Sequence, residues 1–216
     1  MGGFFNSSIG RKVAMALSAF FLMFFLIIHL TVNLTSLFSE EVFNEFSHFM
    51  GTNPLIQGLM QPVLIFGVVF HFVMGFILEI RNRGARTIKY AKNSGGDNSS
   101  WMSRNMLLSG LVILAFLGLH FYDFWIHEMT VKYVEGDMSG LIDPANPDSG
   151  FRYYEELREK FVSPARVGIY VISFVLLALH LLHGFGSAFQ SVGLNNKYTL
   201  ALKGFSKLYS IGLPAL

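Results

Sequence analysis

Four long apolar runs divide the chain, and each is long enough to cross a bilayer, which takes roughly 20 residues as a helix. The first, Val13 to Leu37, is rich in Phe and Leu and holds no charge. The second runs from Pro54 to Ile80, where Asn53-Pro54 offers an N-cap followed by proline at the first helical position. Pro62 predicts a kink near its beginning. The third covers Asn105 to about Ile126, and the fourth starts at the Ser163-Pro164 cap and runs to Gln190. Between them lie polar connections: Phe38 to Thr52, with Glu40, Glu41 and Glu45; a basic segment holding the turn-rich stretch Asn93–Ser100; and His127 to Ser163, mostly acidic. Within the last connection, Asp143–Gly150 is turn chemistry. Phe151, Tyr154, Leu157 and Phe161 follow at helical spacing, which predicts a short amphipathic helix on the membrane surface or against a span. Residues 199–216 look like a fifth span that has barely begun; either the chain stops short of a crossing or the sequence is truncated there, and truncation is the expectation.

Composition agrees with this pattern. Of 216 residues, 52% are hydrophobic and 14% charged, against roughly 25% charged in soluble domains; the mean hydropathy is +0.48. The expected class is an all-α integral membrane helix bundle forming a single membrane domain. The chain holds no cysteine, which excludes disulfides, iron–sulfur clusters and thiolate ligation on it. Met1–Gly10 lacks the features of a removable signal peptide, and Arg11-Lys12 before the first run predicts a span that stays in the membrane.

Charge sets the expected orientation. With the N-terminus inside, Arg11, Lys12, Arg81, Arg83, Arg86, Lys89, Lys92, Arg104, Lys197, Lys203 and Lys207 all fall on the inner side. Lys132, Arg152, Arg158, Lys160 and Arg166 fall outside, most of them offset by acids. The excess of basic residues belongs on the cytoplasmic side, so the N-terminus is expected there.

Each apolar run carries a histidine, and an unpaired polar group in hydrocarbon costs several kcal/mol. The topology gives each histidine a depth. His29 and His120, on outward-running spans, fall roughly 22–24 Å from the inner face at 1.5 Å per residue. His71 and His180, on inward-running spans, fall roughly 14–15 Å from it. Two levels with two histidines each is the pattern of two cofactors stacked in a four-helix bundle, each held by opposed imidazoles. The inner pair has a second signature: Gly75 and Gly184 lie four residues after His71 and His180, on the same helical face, leaving room for a flat macrocycle. The outer pair has Asn33 and Phe124 instead.

A lone intramembrane histidine is also explained by a hydrogen bond that glues helices, but four at matched depths are not. His183 lies roughly 60° around the helix from His180 and cannot share its role; it is expected to be a packing neighbour, with ligation in place of His180 as the alternative. His48 and His127 sit in connections and are expected to be solvated. The Phe content, Trp101 and Trp125 fit lipid-facing bulk and interfacial anchoring. No nucleophile–base pair or phosphate loop is present, so substrate chemistry is expected on a partner, and nothing points to nucleic acid.

His29, His71, His120 and His180 on four spans, the basic segment Arg81–Tyr90 and the His180–Gly184 motif together resemble the di-haem cytochrome b membrane anchor of bacterial succinate dehydrogenase and fumarate reductase (complex II). The resemblance covers essentially the whole chain. It implies five spans, four of them around two haem b groups, in the bacterial inner membrane. It implies flavoprotein and iron–sulfur partner subunits, which hold the dicarboxylate site and place the complex in the tricarboxylic acid cycle. It also implies that His71 and His180 ligate the proximal haem, and that His29 and His120 ligate the distal haem near a menaquinone site. Electrons from succinate would pass through both haems to menaquinone, or back for fumarate reduction. Glu45, His48 and Gln57, near the outer end of the second span, are the candidate quinone contacts, although ordinary solvated residues look the same. Some family members carry a proton-conducting glutamate near the fourth-span ligand; here Ala178, Leu181 and Leu182 surround His180. Two other readings are a cytochrome b anchor of a hydrogenase or formate dehydrogenase, and a transporter with a histidine proton or metal relay.

Overall fold

The computed structural model describes residues 7–84, 105–194 and 199–216. The basic stretch from Arg86 to Arg104, its Asn93–Ser100 loop, Trp101 and Lys197 lie outside the described residues. The rest is an all-α membrane helix bundle.

Helix α1 spans Ser8–Thr35, with the Ser7 side chain accepting from Gly10 N. It begins before Val13, so Arg11 and Lys12 lie within its first turns rather than ahead of it. Helix α2 spans Glu40–Thr52, capped by the Ser39 hydroxyl with Glu40 and Glu41 in its first turn, where carboxylates favour the helix dipole. Low hydropathy had placed this stretch in a connection; its cap and amphipathic face make it a helix.

Helix α3 spans Gln61–Gly84 and is entered through a π-helical turn, Ile56–Met60, whose start is capped by Asn53 Oδ1. The π turn sits directly before Pro62. Proline has no N–H to give and crowds the carbonyl four residues back, and a widened turn accommodates both.

Helix α4 is continuous from Met106 to Glu135, with π-helical stretches at Phe121–Ile126 and Val131–Glu135. It runs past the Ile126 boundary suggested by hydropathy, until Gly136 takes φ 83°, a left-handed stop that glycine adopts without strain. Helix α5 spans Tyr153–Lys160, α6 spans Pro164–Ser191 behind the Ser163 cap, and α7 spans Thr199–Ala215.

Helices α1, α3, α4 and α6 form the spanning set, with long, strongly apolar windows. Of those windows only 6% to 22% of residues are buried inside the protein. Phe24, Phe66, Val69, Leu108, Leu111 and Ile172 point outward, an apolar surface of the kind that lipid covers. The four pack as a closed ring in the order α1–α3–α4–α6, with each helix against its two neighbours. Helix α7 lies outside the ring on α6 and α1, where Tyr209 packs with Met23, Leu181 and Phe185 and its hydroxyl donates to Met23 O at 2.5 Å.

One end of the ring carries a cap of α2, α5 and the chain between Gly136 and Arg152. The amphipathic α5 packs on α2: Asn44 donates to Phe151 O at 2.9 Å and accepts from Tyr154 N at 2.8 Å. His48 stacks on Phe151, ring centroids 4.1 Å apart, and His127 pairs with Glu156 at 3.2 Å. His48 is taken up by the α5 segment rather than freely solvated, whereas His127 pairs with Glu156 and still keeps 39% of its side chain exposed.

Behind them is a buried charge network. Lys132, only 4% exposed, pairs with Glu128 at 2.7 Å and donates to Gly51 O. Glu128 also pairs with Arg152 at 2.6 Å, and Arg152 with Glu156 at 2.5 Å. Burial works against the Arg152 guanidinium, but its hydrogen bonds to Glu128 and Glu156 outweigh this and raise its pKa above the ordinary value. Burial likewise raises the Tyr153 phenol, and the nearby Glu128 charge adds to it. These charges let α4 stay helical beyond its apolar part.

Breaking a buried ion pair by removing one partner costs about 3 kcal/mol. Lys132→Met should therefore lower stability by about 3 kcal/mol and loosen the cap, measured as a lower melting temperature in detergent and faster protease cleavage between Gly136 and Arg152.

Candidate functional site

The four span histidines occupy the ring's two diagonals. His29 of α1 faces His120 of α4, and their rings meet edge to face with centroids 5.6 Å apart. His71 of α3 and His180 of α6 lie on the other diagonal. Diagonal helices do not pack closely here, so the side chains, not the backbones, bridge the middle of the bundle.

The second pair sits at a different level, fixed by two serines. Ser18 Oγ is 3.0 Å from His71 Nδ1, and Ser109 Oγ is 3.1 Å from His180 Nδ1. Each serine lies eleven residues before a histidine of the first pair on the same helix, 18 to 29 and 109 to 120. At 1.5 Å per residue the two levels are about 16 Å apart, twice the roughly 8 Å that counting from the apolar-run boundaries gives, because the helices run past those boundaries. The pair nearer the cap is His29/His120; the pair farther from it is His71/His180.

The serine contacts favour one tautomer. Each hydroxyl also reaches the carbonyl three residues back, Ser18 to Met15 O at 2.8 Å and Ser109 to Met106 O at 2.9 Å. With its one proton on that carbonyl, the oxygen accepts from the imidazole and Nδ1 is the N–H. In a neutral ring Nε2 is then left with its lone pair, the state in which imidazole binds a metal.

Methionine, serine and histidine recur at the same offsets on α1 (Met15, Ser18, His29) and on α4 (Met106, Ser109, His120). Facing them, α3 and α6 repeat histidine and glycine. A Cβ on Gly75 would meet the Met15 methyl at 3.6 Å, and one on Gly184 would meet the Met106 methyl at 3.3 Å. Both glycines therefore leave a space that a flexible methionine end now occupies. A Cβ on Gly110 would lie 3.8 Å from His180 Cε1, an ordinary contact.

Near the cap the surroundings differ. His120 sits among Phe116, Phe124 and Tyr170, and its Nδ1 is buried without a hydrogen-bond partner. His29 stacks on Phe25, and its Nε2 lies 3.5 Å from Asn33 Nδ2. Three residues beyond His120 is Asp123, 1% exposed. Its Oδ2 accepts from the Tyr170 hydroxyl at 3.0 Å and pairs with Arg166 Nε at 3.2 Å, tying α4 to α6. Asp123 is the single carboxylate in the apolar part of α4, and that isolation was the signal available in the sequence. The signal for Ser18 and Ser109 was the repeated offset.

His183 is half-buried, and its Nε2 is 3.3 Å from the Ser187 hydroxyl on its own helix. Of the three candidate quinone contacts, Glu45 is exposed on α2 and His48 is stacked on Phe151. Gln57 donates to Met50 O at 2.7 Å, bracing the corner between α2 and α3.

No family model matches the chain, and no solved structure matches it. A curated relative does: the succinate dehydrogenase cytochrome b558 subunit of Bacillus subtilis (strain 168) is 25% identical over 166 residues, which cover 76% of this chain and 69% of the relative. The match agrees with the resemblance carried by the histidines: the chain is similar to a cytochrome b subunit of a succinate dehydrogenase.

Proposed function

We propose that this chain is the membrane anchor and electron-transfer subunit of a succinate:menaquinone oxidoreductase or fumarate reductase, holding two b haems at the two histidine levels. One observation carries the reading: His29 and His120 meet across one diagonal of the helix ring, and at the other level His71 and His180 each have a serine against Nδ1, an arrangement that leaves Nε2 for a metal.

The residues fit a haem at each level. His71 and His180 would be its axial ligands at the level away from the cap, with Gly75 and Gly184 as the places where the helix face is bare enough for a flat group beside the Met15 and Met106 methyls. His29 and His120 would be the ligands at the cap level, where the two rings already approach across the bundle and His120 Nδ1 has no protein partner. Two imidazoles at each level would hold a haem as a one-electron carrier, a ligand set that suits electron transfer rather than O₂ binding. The chain's own part is to hold the four rings and keep water from them with a shell of Phe side chains. It also spaces the levels so that an electron crosses the membrane in two stages.

The distribution of basic residues puts the N-terminus in the cytoplasm of a bacterium and the cap on the outer face of the inner membrane. On that orientation, flavoprotein and iron–sulfur subunits dock at the inner end, next to the His71/His180 level, and menaquinone exchanges electrons near the His29/His120 level. Exposed Glu45 is the quinone contact we propose among the three candidates, since His48 and Gln57 are engaged in the cap.

The test is haem content in the purified complex. Wild type should contain two b haems per chain by pyridine haemochrome, partly reducible by succinate. His71→Ala and His180→Ala should each lose one haem and keep the other, whereas His183→Ala should keep both. Absence of haem from the wild type, or loss in His183→Ala with retention in His180→Ala, contradicts the assignment. Co-purification of a hydrogenase or formate dehydrogenase subunit, instead of a flavoprotein reduced by succinate, would contradict the partner.

A further inference from the structure

A helical serine that bonds back to a carbonyl in the preceding turn is commonplace and usually only local. Ser18 and Ser109 differ because each carries a second, long-range bond to an imidazole on the next helix of the ring. Two helices far apart in sequence do this with the same offsets to a methionine before and a histidine after. The cap-level histidines are held otherwise: His120 Nδ1 has no partner, and His29 has only an amide at 3.5 Å from its Nε2. The two levels are built from the same ligand type but with different support.

We propose that Ser18 and Ser109 are positioning residues that set the reduction potential at the His71/His180 level, and only there. This rests on the haem reading of those histidines. Accepting a hydrogen bond from Nδ1–H makes an imidazole more basic, and a more basic ligand favours oxidised over reduced iron. The bond also fixes ring rotation, because the serine is itself anchored to the Met15 or Met106 carbonyl. Both ligands of one level receive this support, from α1 on one side and α4 on the other. Those same two helices supply the ligands of the other level from a point about 16 Å away, too far for either hydroxyl to touch them.

The experiment is a redox titration of the haem absorbance in the intact purified complex, with low-spin EPR signals and pyridine haemochrome on the same samples. The variants are Ser18→Ala, Ser109→Ala and their conservative counterparts Ser18→Thr and Ser109→Thr. Threonine keeps a hydroxyl that can bond the preceding turn.

Each alanine variant should keep two haems and move one couple to a more positive potential, with a changed EPR signal for that haem and the other couple unmoved. Each threonine variant should return the couple toward wild type. Loss of one haem in alanine with retention at the wild-type potential in threonine also supports the role of the hydroxyl. The proposal is overturned if neither couple moves in the alanine variants, if both couples move together, or if threonine behaves like alanine. A wild type without haem is a separate outcome, since it removes the haem reading itself before any serine is changed.

Discussion

An imidazole in hydrocarbon must find a partner inside the protein, since lipid offers none. Here each histidine of one pair has a serine hydroxyl of the neighbouring helix against its Nδ1, Ser18 beside His71 and Ser109 beside His180. That one constraint explains much of the packing. The serines must lie on helices adjacent to the histidines, so α1 packs on α3 and α4 on α6. The histidines must then face each other along a diagonal, which keeps α3 and α6 from closing on each other. The other diagonal, with His29 and His120, lies nearer the cap and has no such serine contacts: His120 Nδ1 is without a partner and His29 Nε2 lies 3.5 Å from the Asn33 amide.

The rest of the fold keeps this arrangement in register. Where the ring leaves the apolar layer, α4 continues as a helix because Glu128, Lys132 and Arg152 satisfy one another against α2 and α5. Asp123, Tyr170 and Arg166 join α4 to α6 just beyond His120. Both networks sit at the cap end, so that end is braced by ion pairs. Tyr209 of α7 bonds the α1 backbone at Met23, between the two histidine levels.

Much of this was legible in the sequence, for reasons that have a physical basis. A span is a long uncharged run, and a histidine within it has a depth once the direction of the run is known. The glycines after His71 and His180 carried the helical face. What stayed hidden depends on contacts between helices. Serine is unremarkable in an apolar run, and nothing local told that Ser18 would meet His71 from another helix. Helix α2 was missed because its mean hydropathy is low, although Ser39 followed by Glu40 and Glu41 is a capping signal. His48 was taken as solvated because the stacking ring, Phe151, comes from a distant part of the chain. The far end of α4 was misplaced because charges that look like a loop are paired with one another.

The central claim is that two haem irons stand on the two diagonals at different depths. Anomalous scattering at the iron edge from crystals of the purified complex tests it most directly. The account predicts two iron peaks within this subunit, separated along the bundle axis by about 16 Å at 1.5 Å rise per residue, one between His71 and His180 and the other between His29 and His120. A single peak in this subunit, or two at the same depth, would contradict it.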